Sequence, residues 1–176
     1  MPAARRQCGA VLITSLIILL VLTVIGVSAM STSSLQERMA GNLRDQTMAL
    51  QAAETGLKGA ENTIDGWIYQ PLATPTATNN VWTANAYSVI DTTAYNDSWW
   101  NTNGIEYGTA GAVDISGVYA DPRTITQELY FRADGLDPDA RSQGKGVTFY
   151  RDTSRAHGTT KHSIVILQST YAKRFR

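Results

Sequence analysis

Cysteine is nearly absent from this chain of 176 residues: Cys8 is the only one. Without a second thiol there is no intramolecular disulfide and no zinc-type Cys pair, so a fold in an oxidising compartment has to be held by its core alone. Histidine is scarce as well. His157 and His162 lie five apart in a stretch that reads as a loop, with no HExxH partner, which leaves metal chemistry short of ligands. No G-x-S-x-G and no phosphate-cradling glycine loop occurs, and the one thiol lies near the N-terminus. These gaps argue against an enzyme with a recognisable nucleophile and against a nucleotide cofactor. Fifteen basic and fifteen acidic residues cancel. No basic stripe interleaves with aromatics, so nucleic acid is not an expected partner, and no cofactor is expected at all.

The largest gap is in charge. Thirty residues, Gln7 to Gln36, pass without one Asp, Glu, Lys or Arg, and within them Ala10 to Met30 reads AVLITSLIILLVLTVIGVSAM. Twenty-one residues of helix extend about 31 Å, the thickness of a bilayer's hydrocarbon core. The run is too long for the apolar part of a secretory signal, although Val27-Ser28-Ala29 makes a passable small-residue cleavage site near Met30. Cys8 comes before the run, whereas a lipoprotein signal places its Cys after it. Arg5 and Arg6 would hold the N-terminus in the cytoplasm and send the rest across. Two readings fit the length: a plain single-span anchor, or a span exposed as the new N-terminus by a cut after Gly9. The cut would leave 13 basic against 15 acidic residues.

The stretch Arg5-Arg6-Gln7-Cys8-Gly9 before an apolar helix resembles the leader of type IV prepilins. Specificity comes from the segments downstream of it: Ser15-Leu16-Ile17-Ile18-Leu19-Leu20-Val21-Leu22, Gly26-Val27-Ser28-Ala29-Met30, Glu37-Arg38-Met39-Ala40-Gly41-Asn42-Leu43-Arg44-Asp45 and Gln51-Ala52-Ala53-Glu54. Together with Val165-Ile166-Leu167-Gln168-Ser169-Thr170-Tyr171 near the end, these are similar to the PilX group of minor pilins. The resemblance covers roughly residues 5 to 64 and 147 to 171. It implies cleavage between Gly9 and Ala10 by a prepilin peptidase and methylation of the Ala10 amine. One position departs from the family pattern. Most pilins carry glutamate at the fifth mature residue, where this chain has Thr14. An unpaired carboxylate buried there would be costly, whereas a threonine hydroxyl can return to a carbonyl one turn back. By the resemblance, such a subunit needs no amine above it yet can offer its own to the next, which suits the topmost place in a filament. A threonine simply tolerated in a membrane helix is the plainer reading.

Past Met30 the helical period continues. Leu35, Met39, Leu43, Leu50, Ala53, Leu57, Ala60 and Ile64 form one face at a period near 3.6, expected to pack under a sheet. Ser34-Leu35-Gln36-Glu37 has the form of a capping box and, with Gly26, marks a place where the helix could break. From Asp65 the character changes. Pro71, Pro75 and the run Ala73 to Asn80 open an irregular connection to about Gly117, and all four tryptophans lie between 67 and 100. Trp82, Trp99 and Trp100 could offer a partner surface, but filling a small core is the favoured reading. Strands are expected at Val113 to Ala120, at Thr124 to Arg132 with Ile125, Leu129 and Phe131 on one face, at Val147 to Arg151, and at Ser163 to Tyr171, buried on both sides. Turns are expected at Ala133 to Gly146 and Arg155 to Lys161. Asp134, Asp137 and Asp139 put three carboxylates within six residues, a weak calcium candidate whose spacing departs from the EF-hand.

The expected fold is α+β: a type IV pilin-like arrangement in which a long N-terminal helix, hydrophobic in its first half, lies on a small antiparallel sheet. The parts are a leader at 1–9, a transmembrane or filament-core half-helix at 10–30, an amphipathic half at 31–64, and a periplasmic domain at 65–176 that is irregular over 65–117 and stranded over 118–172. The resemblance further implies a non-enzymatic minor pilin that helps prime pilus assembly, resides at or near the pilus tip, and supports twitching motility and adhesion. Its implied partners are other minor pilins, the major pilin, the prepilin peptidase and the inner-membrane assembly platform, with a large tip adhesin as a further one. The chain would sit in the inner membrane before reaching the surface pilus. Three alternatives stay open: a pseudopilin of a type II secretion system, a membrane-anchored periplasmic binding module that never enters a filament, and a secreted domain released by a cut near Ala29.

Overall fold

The structure, a computed structural model, describes residues 10–86, 95–108 and 115–175. The chain divides into two compact units, Met1–Leu43 and Arg44–Arg176. Helix α1 (Ala10–Gly66) supplies all of the described part of the first and the opening element of the second. No proline falls between Ala3 and Gln70, so nothing in the covalent chain interrupts its ladder, and the helix passes through Gly26 and Ser34 without a break. In the described part of the first unit, Leu35, Met39 and Leu43 are exposed on α1. These three do not pack under the sheet as expected.

In the second unit the buried helical residues are Ala49, Ala52, Ala53, Gly56, Ala60 and Ile64. Ala53, Ala60 and Ile64 belong to the expected stripe; Leu57 is half-buried and Leu50 is left at 40% exposure. The correction has a steric reason. A face of alanine and glycine lets the helix backbone come close to the sheet, and leucines at the rim are then pushed aside. Gly56 shows how close. A Cβ built there would stand 2.4 Å from Ser154 Oγ and 3.0 Å from Pro122 Cβ. Alanine for glycine in a helix gains about 1 kcal/mol of propensity, but overpacking costs about 1–3 kcal/mol. Gly56→Ala is therefore expected to lower the unfolding midpoint by a net loss of about 1 kcal/mol, with Ser154→Ala in the same chain recovering part of it. A rise in the midpoint, followed by circular dichroism, would mean the contact is looser than described.

The sheet comprises β1 (Val81–Thr83), β2 (Ile105–Glu106), β3 (Arg123–Ala133), β4 (Gly146–His157) and β5 (Ile164–Lys173), with α2 (Asp97–Asn103) between β1 and β2. Its order is β1-β3-β4-β5, with β2 also on β3. It is mixed rather than antiparallel: β1 runs parallel to β3, with Val81 opposite Thr126. The expectation failed there because a three-residue strand in a Thr/Asn-rich connection has too little alternation to be read. Of the expected strand Val113 to Ala120, residues 113 and 114 lie outside the described residues and the rest forms turns.

Even-numbered residues of β4 face α1, where Ala52 and Ala53 meet Ala156, and Ile64 meets Val81 and Tyr150. The opposite face buries Trp82, Trp100 and Ile125, with Tyr95 and Trp99 beside them. In β3 the register slips between Glu128 and Tyr130, so Leu129 falls in a bulge. Ile125 pairs with Thr153 and Phe131 with Thr148, which puts those two apolar residues on opposite faces, not on one. Strand β4 continues through Arg155 to His157, where a turn was expected. Strand β5 ends the path as an edge, and on its outward face Ile164 is exposed and Ile166 only half-buried, so it is not buried on both sides.

Candidate functional site: an unburied apolar helix

In the first unit Val11, Leu16, Leu20 and Val24 are 58–65% exposed, and so on around the whole circumference up to Met30. Water-soluble monomers rarely expose contiguous apolar patches beyond a few hundred Å². A helix apolar on every side is one whose solvent is lipid or other helices. Its hydroxyls suit that setting. Thr14 Oγ1 donates to Ala10 O at 3.1 Å and Val11 O at 2.9 Å, Ser15 Oγ to Leu12 O at 2.9 Å, and Thr23 Oγ1 to Leu20 O at 2.8 Å. Each bond satisfies within the helix a group that hydrocarbon could not. Length, composition and exposure therefore fit a membrane anchor. Gly9 lies outside the described residues, and Ala10 is the first residue of α1.

Other residues singled out from the sequence fall in different places. Trp82 is 5% exposed and Trp100 is fully buried, so neither offers a surface to a partner, and Trp99 is half-buried against Tyr95 at 4.4 Å between ring centres. Asp134, Asp137 and Asp139 do not converge. Asp134 holds the Arg174 guanidinium with both oxygens, and Asp137 faces Lys145 at 3.7 Å while accepting from the Asp139 amide at 3.0 Å. Among the described residues no three acidic, His or Cys side chains come together as a metal would require.

Sequence reasoning missed three polar arrangements in the second unit. On the face away from α1, Arg155 donates to Asp97 and, through Nη1, to His157 Nε2 at 3.3 Å. Because a guanidinium has only donors, Nε2 accepts and Nδ1 carries the proton, which it donates to Lys161 O at 3.2 Å. Burial first and Arg155 second hold the His157 pKa down, and the hydrogen bond from Arg155 holds Asp97 below the usual carboxylate range. His157 is thus a buried, neutral residue at a strand end, not a loop histidine. The bond clamps α2, itself capped by Asn96, onto the sheet. Near the start of the second unit, Asp45 accepts from Thr160 N at 3.2 Å and Thr160 Oγ1 at 2.6 Å, tying α1 to the β4–β5 turn. Those bonds, the hydroxyl's foremost, lower the Asp45 pKa.

Under α1 lies the third. Asp152 is fully buried, and Oδ1 accepts from Thr126 Oγ1 at 2.6 Å. Its Oδ2 has no partner, nor do the hydroxyls of Ser154 and Ser169 on neighbouring sheet positions. Burial pushes the Asp152 pKa up to about 6, with Thr126 pulling the other way and Glu61 adding to the rise. The only sequence signal for it was an acid at an inward position of an alternating strand, hidden because β4 was read as ending at Arg151.

Comparison with known families agrees with this arrangement. A family model described as PilX N-terminal matches residues 9–58, and one described as type IV pilus assembly protein PilX C-term matches residues 69–173. No curated protein and no solved structure matches the chain. With nearly its whole length matched and its apolar helix unburied, the chain belongs to the PilX family and is a type IV pilus minor pilin.

Proposed function

We propose that this minor pilin helps to prime type IV pilus assembly together with other minor pilins and the major pilin, and that it is incorporated at or near the pilus tip. The observation that carries the reading is the 21-residue apolar stretch left wholly exposed by the folded chain. A prepilin peptidase cuts between Gly9 and Ala10 and the Ala10 amine is methylated. The half-helix waits in the inner membrane with the second unit in the periplasm. At the assembly platform it then leaves lipid for the equally apolar interior of a helical filament. That transfer exposes no polar group, since lipid tails and leucine side chains are comparable solvents for it. The role is structural rather than catalytic, and it supports twitching motility and adhesion. The family match favours a pilus over a type II secretion apparatus. Immunogold labelling of sheared pili tests this: label at pilus ends supports it, and label confined to a secretion apparatus or to the membrane contradicts it.

Thr14 marks the place in the filament. Its hydroxyl is satisfied inside its own helix, so it asks nothing of a neighbour's amine, while Ala10 still offers one to the subunit below. Thr14→Glu is expected to reduce the number of pili per cell while changing the stability of the second unit by less than about 0.5 kcal/mol. Unchanged piliation would remove the case for a topmost position.

A further inference from the structure

Where α1 ends, the second unit holds an open cleft of about 370 Å³, within the size range of small-ligand sites. It is built from Ile68–Gln70 just past the helix, the facing ends of β3 and β4 with their connection, and Phe175. Three rings line it: Tyr69, which is 83% exposed, Phe131 and Phe175. Phe131 is laid against bare backbone. A Cβ at Gly146 would stand 2.3 Å from Phe131 Cζ and 2.5 Å from Arg132 O, so the ring keeps its place only because residue 146 is glycine.

Between the rings the lining is amide and hydroxyl: Gln70, Ser142, Gln143 and Thr148. Thr148 borders the cleft at 1% exposure, with its hydroxyl within hydrogen-bonding reach of the Tyr150 hydroxyl. Charge is compensated in place. Glu128 takes Arg141 on one oxygen and Gln70 Nε2 on the other at 3.3 Å, and the flanking Arg174 and Lys145 are paired with Asp134 and Asp137. The one charged side chain on the cleft lining, Arg141, is committed to Glu128 and lies over the Phe131 ring at 5.8 Å from its centre, so a charged ligand meets no free counter-charge there.

We propose that this cleft binds an uncharged saccharide unit. A sugar ring presents a C–H face that packs on aromatic rings and hydroxyls that both donate and accept, as the glutamine and hydroxyl side chains here also do. The site lies wholly in the second unit, so it stands or falls independently of leader cleavage and of filament position.

The test uses the full chain in a detergent without a sugar headgroup. It is titrated by calorimetry with galactose and N-acetylglucosamine, with the anionic N-acetylneuraminic acid, and with an aromatic dipeptide as the probe for protein docking. Saturable binding of a neutral sugar is expected. Tyr69→Ala, at an exposed position that folding does not need, should weaken it about tenfold. Absence of saturation by either neutral sugar, tighter binding of the anionic one, binding of the dipeptide instead, or unaltered sugar affinity in Tyr69→Ala would overturn the assignment.

Discussion

Trp100→Ala is expected to destabilise the second unit by about 3–5 kcal/mol, the cost of emptying a large buried aromatic site. Trp100 is fully buried in the cluster with Trp82 and Ile125, and it stacks edge-on against Trp99 at 5.7 Å. The Arg155 guanidinium lies 6.0 Å from its ring centre. Removing the ring therefore loosens α2 and the Asp97–Arg155–His157 contact together, and with no disulfide in reserve the segment is left to the Arg123 guanidinium on Asn101 O and Gly104 O, each at 3.3 Å, and to the short β2–β3 pairing. Domains of this size have about 5–15 kcal/mol in total, so the variant should be largely unfolded at growth temperature and depleted from cells. Chemical denaturation followed by circular dichroism measures it. A loss below about 1 kcal/mol, the range of an ordinary surface change, would show that the face away from α1 is not a core.

The second large effect is one of pH and centres on Asp152. Its pKa rises on folding from 3.8 to about 6, so the folded state favours the protonated acid. Stability from this group is present below pH 3.8 and is lost as pH rises through about 6. His157 works in the opposite direction: its folded pKa is lowered, so acidification through its ordinary value of 6.5 costs stability. Asp97, held down by Arg155, adds a further loss below 3.8. The difference between the native chain and Asp152→Asn isolates the one group, since the others are common to both. That difference should shift in favour of the native chain by about 2 kcal/mol on going from pH 7 to pH 4. A difference independent of pH would mean that Asp152 is hydrated and not sealed beneath the helix.

What could be read in advance depended on how long each pattern ran. The apolar run from Ala10 to Met30, the helix beyond it and the strands around Thr126 and Ile166 carry periodicity over enough residues to fix their type. The packing face of α1 was harder, because hydrophobic period weights leucine over alanine, whereas the contact that forms is the one that brings backbones close through Ala52, Ala53 and Gly56. Strand β4 was cut short because Arg155 and His157 look like turn residues until Asp97, 58 positions away from Arg155, is seen to pair with the arginine. The parallel strand β1 and the bulge at Leu129 depend on long-range pairing that no local window contains. The tryptophans, by contrast, behaved as composition suggests: large rings in a chain without disulfides went mainly to the core.

Thr14, the exposed helix and the family match all bear on one physical statement, that the mature chain begins at the apolar helix itself so that the same surface can serve in a bilayer and among neighbouring helices. The most direct test is the mass of the N-terminal peptide of the protein isolated from its own cells. A peptide starting at a methylated Ala10 is the predicted result. A peptide that still carries Arg5 and Arg6, or one that starts near Met30, would contradict it.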